Sequence, residues 1–207
     1  MKPSRRWYAA PRGLLMAAAT TLMVMAAILF ISCGGETEST PPEATTPSPG
    51  AGVVPPLDPN VSLVEFRSPD KGYSLGYPEG WEVETSPGAG TDFFFRKADD
   101  RRLALLQVTC NRELRTAELL MTVDQNVASN FGGVLDPSAA APVEVGGVEG
   151  IQNRYSITIG GGSIEHVVAY VAAGDCGWRI GLNSYGSGTL EPYLPLFQRI
   201  LASFHFD

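Results

Sequence analysis

Cysteine and histidine are scarce in this chain: three and two, respectively, in 207 residues. No C-x-x-C occurs, which excludes the common redox dithiol. The one G-x-S-x-G, Gly72 to Gly76, falls in a stretch that alternates as a strand and not at the strand-to-helix turn of a nucleophile elbow. Basic residues are few, with 15 Lys and Arg against 22 Asp and Glu and a net charge of −7. Lys2, Arg5, Arg6 and Arg12 carry all the charge of residues 1–32, so residues 33–207 stand at −11. That balance disfavours both nucleic acid and an anionic membrane surface as partners, and no nucleic acid is expected.

What is present at the front is more specific. An unbroken apolar run follows the four basic residues and ends in LFISCGG, with Ser32 immediately before Cys33. A basic start, an apolar centre and a small residue at a cut site make an export signal. With cysteine just past the cut, the segment resembles the lipobox of bacterial lipoproteins, although Phe30 stands where that pattern has leucine. The resemblance implies cleavage after residue 32 and lipidation of Cys33. Two acyl chains anchor a protein stably where one is marginal. The run also has the length to span a bilayer, so an uncleaved helical anchor is the alternative. Both readings place the rest of the chain outside the cytoplasm, held at the membrane. Arg5-Arg6 in SRRWYAA also allows a twin-arginine reading, against an ordinary basic flank.

Residues 33–60 form a tether. Seven prolines fall between Gly34 and Asn60, without a cluster of large apolar residues. Proline removes backbone donors, and so little apolar surface cannot offset the entropy of ordering. Residues 61–207 are then one globular domain of ordinary size. Alternation predicts strands at 62–68, 73–77, 81–84, 92–97, 103–110, 148–159, 163–173 and 176–183. Turns are expected at Pro78-Glu79-Gly80, at 99–102 and at 160–162. Thr116 is read as an N-cap, with Leu120, Val123, Val127 and Phe131 at helical spacing behind it and Gly132 at the end. A second helix is expected at 190–203, with Thr189 as its cap and Leu190, Leu194, Phe197, Leu201 and Phe204 as its stripe. Pro195 stands at the edge of what a first helical turn tolerates. Hairpins with two separated helices predict an α+β domain, an antiparallel sheet covered by helices.

The string FRSPDKGYSLGYPEGWEV at 66–83 resembles the opening of the PsbP-like family. The closing FQRILASFHF at 197–206 resembles that family's last helix and final short strand. The order of hairpins and one middle helix fits as well, so the resemblance covers nearly the whole domain. It implies an α/β/α sandwich. Members include an extrinsic subunit of the photosynthetic oxygen-evolving complex, a Ran-binding protein and many bacterial lipoproteins without assigned function. It therefore implies binding and assembly, not catalysis. No residue here carries over the calcium or manganese chemistry of the photosynthetic member, and no cofactor is expected.

Cys110 and Cys176 remain after Cys33. An even pair in an exported domain suggests a disulfide. Strand parity puts both on the core side, and buried thiols are the alternative. A bond would close a loop of 66 residues, worth about 4 kcal/mol in the chain-entropy model. Other candidates have structural readings beside the chemical ones. His166 and Glu165 are adjacent on a strand and so point to opposite faces, which works against joint metal ligation. His205 lies near the chain's end. The amides of Gly186-Ser187-Gly188 could hold an anion, or simply turn the chain. Glu82 and Glu84 share a strand face, the pattern of a solvated side. Tyr73, Tyr77, Trp81, Phe93, Phe95 and Trp178 could line a groove, but large aromatics mostly fill cores.

The resulting expectation is a lipid-anchored, extracytoplasmic binding or assembly module whose partner is another envelope protein. The alternative is a carrier of a small apolar ligand or metal held between sheet and helix. A hydrolase would need Ser187 to meet a histidine and an acid.

Overall fold

Alternating strands give each sheet a face to bury, and two helices supply the cover. The computed structural model describes residues 57–85, 90–98 and 101–207; Cys33 and the segments read as a leader and, for the most part, as a tether lie outside them. The described strands are β1 (Leu63–Ser68), β2 (Tyr73–Pro78), β3 (Glu82–Thr85), β4 (Thr91–Ala98), β5 (Arg101–Asn111), β6 (Ala141–Val145), β7 (Val148–Ile159), β8 (Gly162–Ala173), β9 (Cys176–Tyr185) and β10 (His205–Phe206). The described α-helices are α1 (Ala117–Asn130) and α2 (Leu194–Ala202).

β1, β2 and β10 form a small antiparallel sheet in the order β1-β2-β10. The larger sheet has seven strands in the order β3-β4-β5-β9-β8-β7-β6, antiparallel at every pairing. α1 packs on β7, β8 and β9, while α2 lies against β2 and β6. Apolar residues accordingly fall into two clusters, one on each face of the large sheet. This is the helix-covered antiparallel sheet expected of an α+β domain.

The main cluster is built of rings. Tyr73 stacks on Phe204 at 5.1 Å and meets Trp178 edge-on at 5.4 Å. Phe66 meets Phe94 edge-on at 5.1 Å. Tyr73, Phe94, Phe197 and Phe204 are fully buried. Under these rings, Asp92 accepts bonds from Lys71 Nζ (2.9 Å), Ser68 Oγ (3.1 Å) and Tyr73 Oη (2.6 Å). A buried carboxylate needs such donors, because burial without them is costly.

Four local readings need correction. β6 was not anticipated: APVEV carries a proline and an acid, yet it pairs with β7 as an edge strand, where proline is tolerated. The second helix begins later than 190. Glu191–Tyr193 form a 3₁₀ turn and the α-helix starts at Leu194, which places Pro195 in its first turn. Thr189 does not cap it, because its hydroxyl donates to the Gly186 carbonyl at 2.8 Å. The buried stripe of α1 is also turned, to Leu120, Met121, Asp124 and Ala128. Its N-cap is Thr116, whose Oγ1 accepts from Leu119 N at 3.3 Å.

Candidate functional site

Cys110 on β5 and Cys176 on β9 form a disulfide, with their Cα atoms 5.4 Å apart. β5 and β9 are neighbours, and Cys110 faces Trp178 across the ladder. Cys176 is buried in the main cluster. The bridge therefore ties two central strands whose positions are far apart in sequence. Cys33 lies outside the described residues.

The other face of the sheet carries the densest polar chemistry. Asp124, in the middle of α1, is buried and accepts from Arg179 Nε at 2.7 Å and 3.0 Å. Tyr170 Oη donates to the same carboxylate at 2.7 Å. Arg179 also donates to Tyr155 Oη at 3.2 Å and to Gln107 Oε1 at 3.3 Å. Its side chain runs over Gly181, where a Cβ would come within 2.9 Å of Nη1. Glycine on β9 thus makes room for the guanidinium. Burial pushes the Tyr155 hydroxyl up to about 12, and burial with the Asp124 charge pushes Tyr170 up further. Neither phenol ionises at physiological pH, so both serve as donors.

His166 lies in the same layer. Its ring stacks on Tyr155 at 4.5 Å, nearly parallel. Asn183 is its direct partner across the β8–β9 ladder. Both histidine nitrogens and Asn183 Oδ1 are buried without a hydrogen-bond partner among the described residues. Burial, with Arg179 nearby, holds the imidazole down at about 4. His166 is therefore a neutral core residue, and it makes no dyad with Ser187, which is exposed in the turn after β9.

That turn does hold an anion, from within. Glu165 accepts from Gly188 N at 2.8 Å and Leu190 N at 2.9 Å. Those amide bonds hold its carboxyl below the usual range. Glu165 and His166 point to opposite faces, as strand parity requires. His205 is exposed on β10. Glu82 lies beside Lys97 and pairs with it, and Glu84 is exposed. Among the described residues, no three His, Cys, Asp or Glu side chains converge as metal ligands.

A surface cavity of about 390 Å³ lies between the β6–β7 hairpin and α2. Pro142, Val143, Glu144, Gln152, Gln198 and Ala202 line it. Gln198 Nε2 donates to Gln152 Oε1 at 3.1 Å. No aromatic residue belongs to its lining. Sequence reasoning missed this site because it rests on β6, which was not anticipated.

Solved structures share this architecture. Cyanobacterial PsbP (CyanoP) of Synechocystis matches with a TM-score of 0.50 and 18% identity, over 77% of this chain and 98% of that one. The fold is PsbP-like. The Ran-binding protein Mog1p of Saccharomyces cerevisiae has the same arrangement, with a TM-score of 0.53 and 11% identity, over 71% of this chain and 96% of its own. A Bacteroides thetaiotaomicron protein matches with a TM-score of 0.50 and 12% identity, over 71% of this chain; the match spans 49% of that protein's length. At these identities the likeness is one of fold. No protein-family model and no curated protein matches the chain. Among the described residues of the PsbP-like domain, no helix is long and apolar enough to cross a membrane.

Proposed function

We infer that this protein is a lipid-anchored, extracytoplasmic binding or assembly module without catalytic activity, which docks on another envelope protein. The observation that carries this reading is the use made of the aromatic rings. Tyr73, Phe94, Trp178 and Phe204 pack on one another or on Phe66 and Phe206. Rings that fill a core do not line a ligand chamber. The described cavity is superficial and edged with amides, unlike the enclosed apolar pocket a carrier would need. Recognition then falls to the surface. The disulfide suits an oxidising compartment, and the LFISCGG leader supplies the route and the anchor. CyanoP and Mog1p are of the same fold, and Mog1p is a Ran-binding protein, a precedent for partner binding on this scaffold.

The test uses the full chain in a bacterial host fed an alkyne fatty acid, with crosslinking in intact cells. Wild type is expected to carry the label, to stay with the membrane through a salt wash and to crosslink reproducibly to one envelope protein. Cys33→Ala loses label and membrane retention together. A cytosolic wild-type product with an unmodified amino terminus sinks the reading.

A further inference from the structure

The β6 edge of the large sheet has a defined set of free backbone groups. β6 and β7 are joined by Gly146 and Gly147, with φ of 54° and 80°. Two left-handed residues make a type I′ turn, which suits a two-residue hairpin. Such a turn fixes the phase of the ladder. Val145 and Val148 close it as a hydrogen-bonded pair, so Glu144 with Glu149, and Pro142 with Ile151, are non-hydrogen-bonded pairs. The backbone of Pro142 and Glu144 then points away from β7. Proline at 142 agrees, because it has no N–H for a ladder. The outer rim offers one donor, Glu144 N–H, with the carbonyls of Pro142 and Glu144. No turn or loop backbone bond among the described residues reaches these groups.

The cavity follows the same rim. Pro142, Val143 and Glu144 are consecutive and all line it. Neighbours on a strand point to opposite faces, so the hollow runs along the strand's edge and not under one face. Gln198 and Ala202 of α2 stand across it. A free strand edge with a helix alongside suits the addition of an extended peptide.

Charge decides which peptide. Glu144 and Glu149 oppose each other in the closer kind of cross-strand pair. Both are exposed, and neither has an ion-pair partner among the described residues. Like charges so placed are destabilising, and an external cation relieves them. A second copy of this chain would bring two more carboxylates to the same place. The opposite edge, β3, is only four residues long, and Lys97 already satisfies its Glu82.

We propose that the β6 edge is a peptide-recognition site, where an extended segment of a partner protein bearing Lys or Arg adds as a further strand. Its backbone pairs with Pro142 and Glu144, and its cation sits over Glu144 and Glu149. This deepens the binding reading above and rests on it; its test does not involve Cys33. The probe is a fluorescent, end-blocked heptapeptide of alternating Lys and Val, titrated into the full chain in detergent at about 0.15 M salt. Saturable binding is expected, weakened about tenfold or more by Glu144→Lys and by Glu149→Lys. Both positions are exposed, and an unchanged melting temperature confirms that the variants fold. The same peptide, N-methylated on alternate amides, keeps every charge. Methylation in one phase should abolish binding and in the other should not, the signature of a strand paired along one edge. The proposal is overturned by no saturable binding, by equal binding in both methylation phases, by indifference to both charge reversals, or by β6-to-β6 crosslinks between copies. Any of these would leave fatty-acid labelling at Cys33 and envelope crosslinks through another surface intact, so the two failures are distinguishable.

Discussion

On the α2 face of the large sheet, rings pack on rings; on the α1 face, a helix is tied down by a carboxylate, a guanidinium and two phenols. The first face is held mainly by buried area, which is non-directional, with one polar knot where Asp92 takes Lys71, Ser68 and Tyr73. The second is held by bonds that need each partner in place. Asp124 and Arg179 are both largely buried, and such a pair is worth little against hydrocarbon but much against half of itself. Away from Asp92 the α2 face should therefore tolerate repacking, whereas the polar network of the α1 face should punish any single deletion.

The sharpest break of that comparison is Arg179→Met. It leaves Asp124 buried with Tyr170 and without its cation, and should cost about 4 kcal/mol. The double variant Asp124→Leu with Arg179→Met should recover most of the loss. Urea unfolding of both, read at the midpoint, checks this. On the α2 face, Phe204→Ala should cost a comparable amount, about 3–5 kcal/mol, through the cavity it leaves. No second substitution of a polar partner should rescue it. Equal costs for the single and double α1 variants would erase the distinction between the faces.

The next effect is the acid sensitivity that His166 gives the α1 face. His166 titrates at about 4 in the folded protein against 6.5 for the free side chain, because burial penalises its cation. Arg179, Asp124, Asn183 and Tyr155 face it. Between those values the unfolded chain binds the proton that the folded one refuses. Stability is thus complete above pH 6.5 and is lost as pH falls toward 4, by about 3 kcal/mol. His166→Phe keeps the stack on Tyr155 and removes the titration. The wild-type minus variant difference in urea midpoints should change across that window and stay flat above it. A flat difference throughout means that the imidazole is not sealed.

Much of this asymmetry was hidden in the sequence. Strands, hairpins and the cap at Thr116 were legible, because period-two alternation and turn residues act locally. The core role of Tyr73, Trp81 and Trp178 was legible for the same reason, as was the core-side parity of Cys110 and Cys176. The rotation of α1 was not. An acid at 124 reads as solvent-facing until Arg179, Tyr170 and Tyr155 are brought over it from strands far along the chain. β6 was hidden by its own edge chemistry, since Pro142 and Glu144 argue against a central strand and say nothing about a rim. Glu165 is a third case. The amides near Gly188 were readable as an anion site, but the anion comes from a residue more than twenty positions earlier.

The smallest effect separates the two helices. α1 has a side-chain cap, Thr116 Oγ1 on Leu119 N, with Glu118 in its first turn. α2 has no side-chain cap and continues out of the Glu191–Tyr193 3₁₀ turn. Thr116→Ala should therefore destabilise by about 1 kcal/mol, while Thr116→Ser should be nearly neutral. The loss belongs to the α1 end of the molecule, so amide exchange should quicken in the first turn of α1 before it changes in α2. Thr189→Ala, at the position that sequence logic would cap, leaves the α2 amides as they were, because its hydroxyl bonds the Gly186 carbonyl instead. If Thr116→Ala and Thr189→Ala loosen both helices alike, the helices share one cooperative unit and the two faces of the sheet cannot be separated energetically.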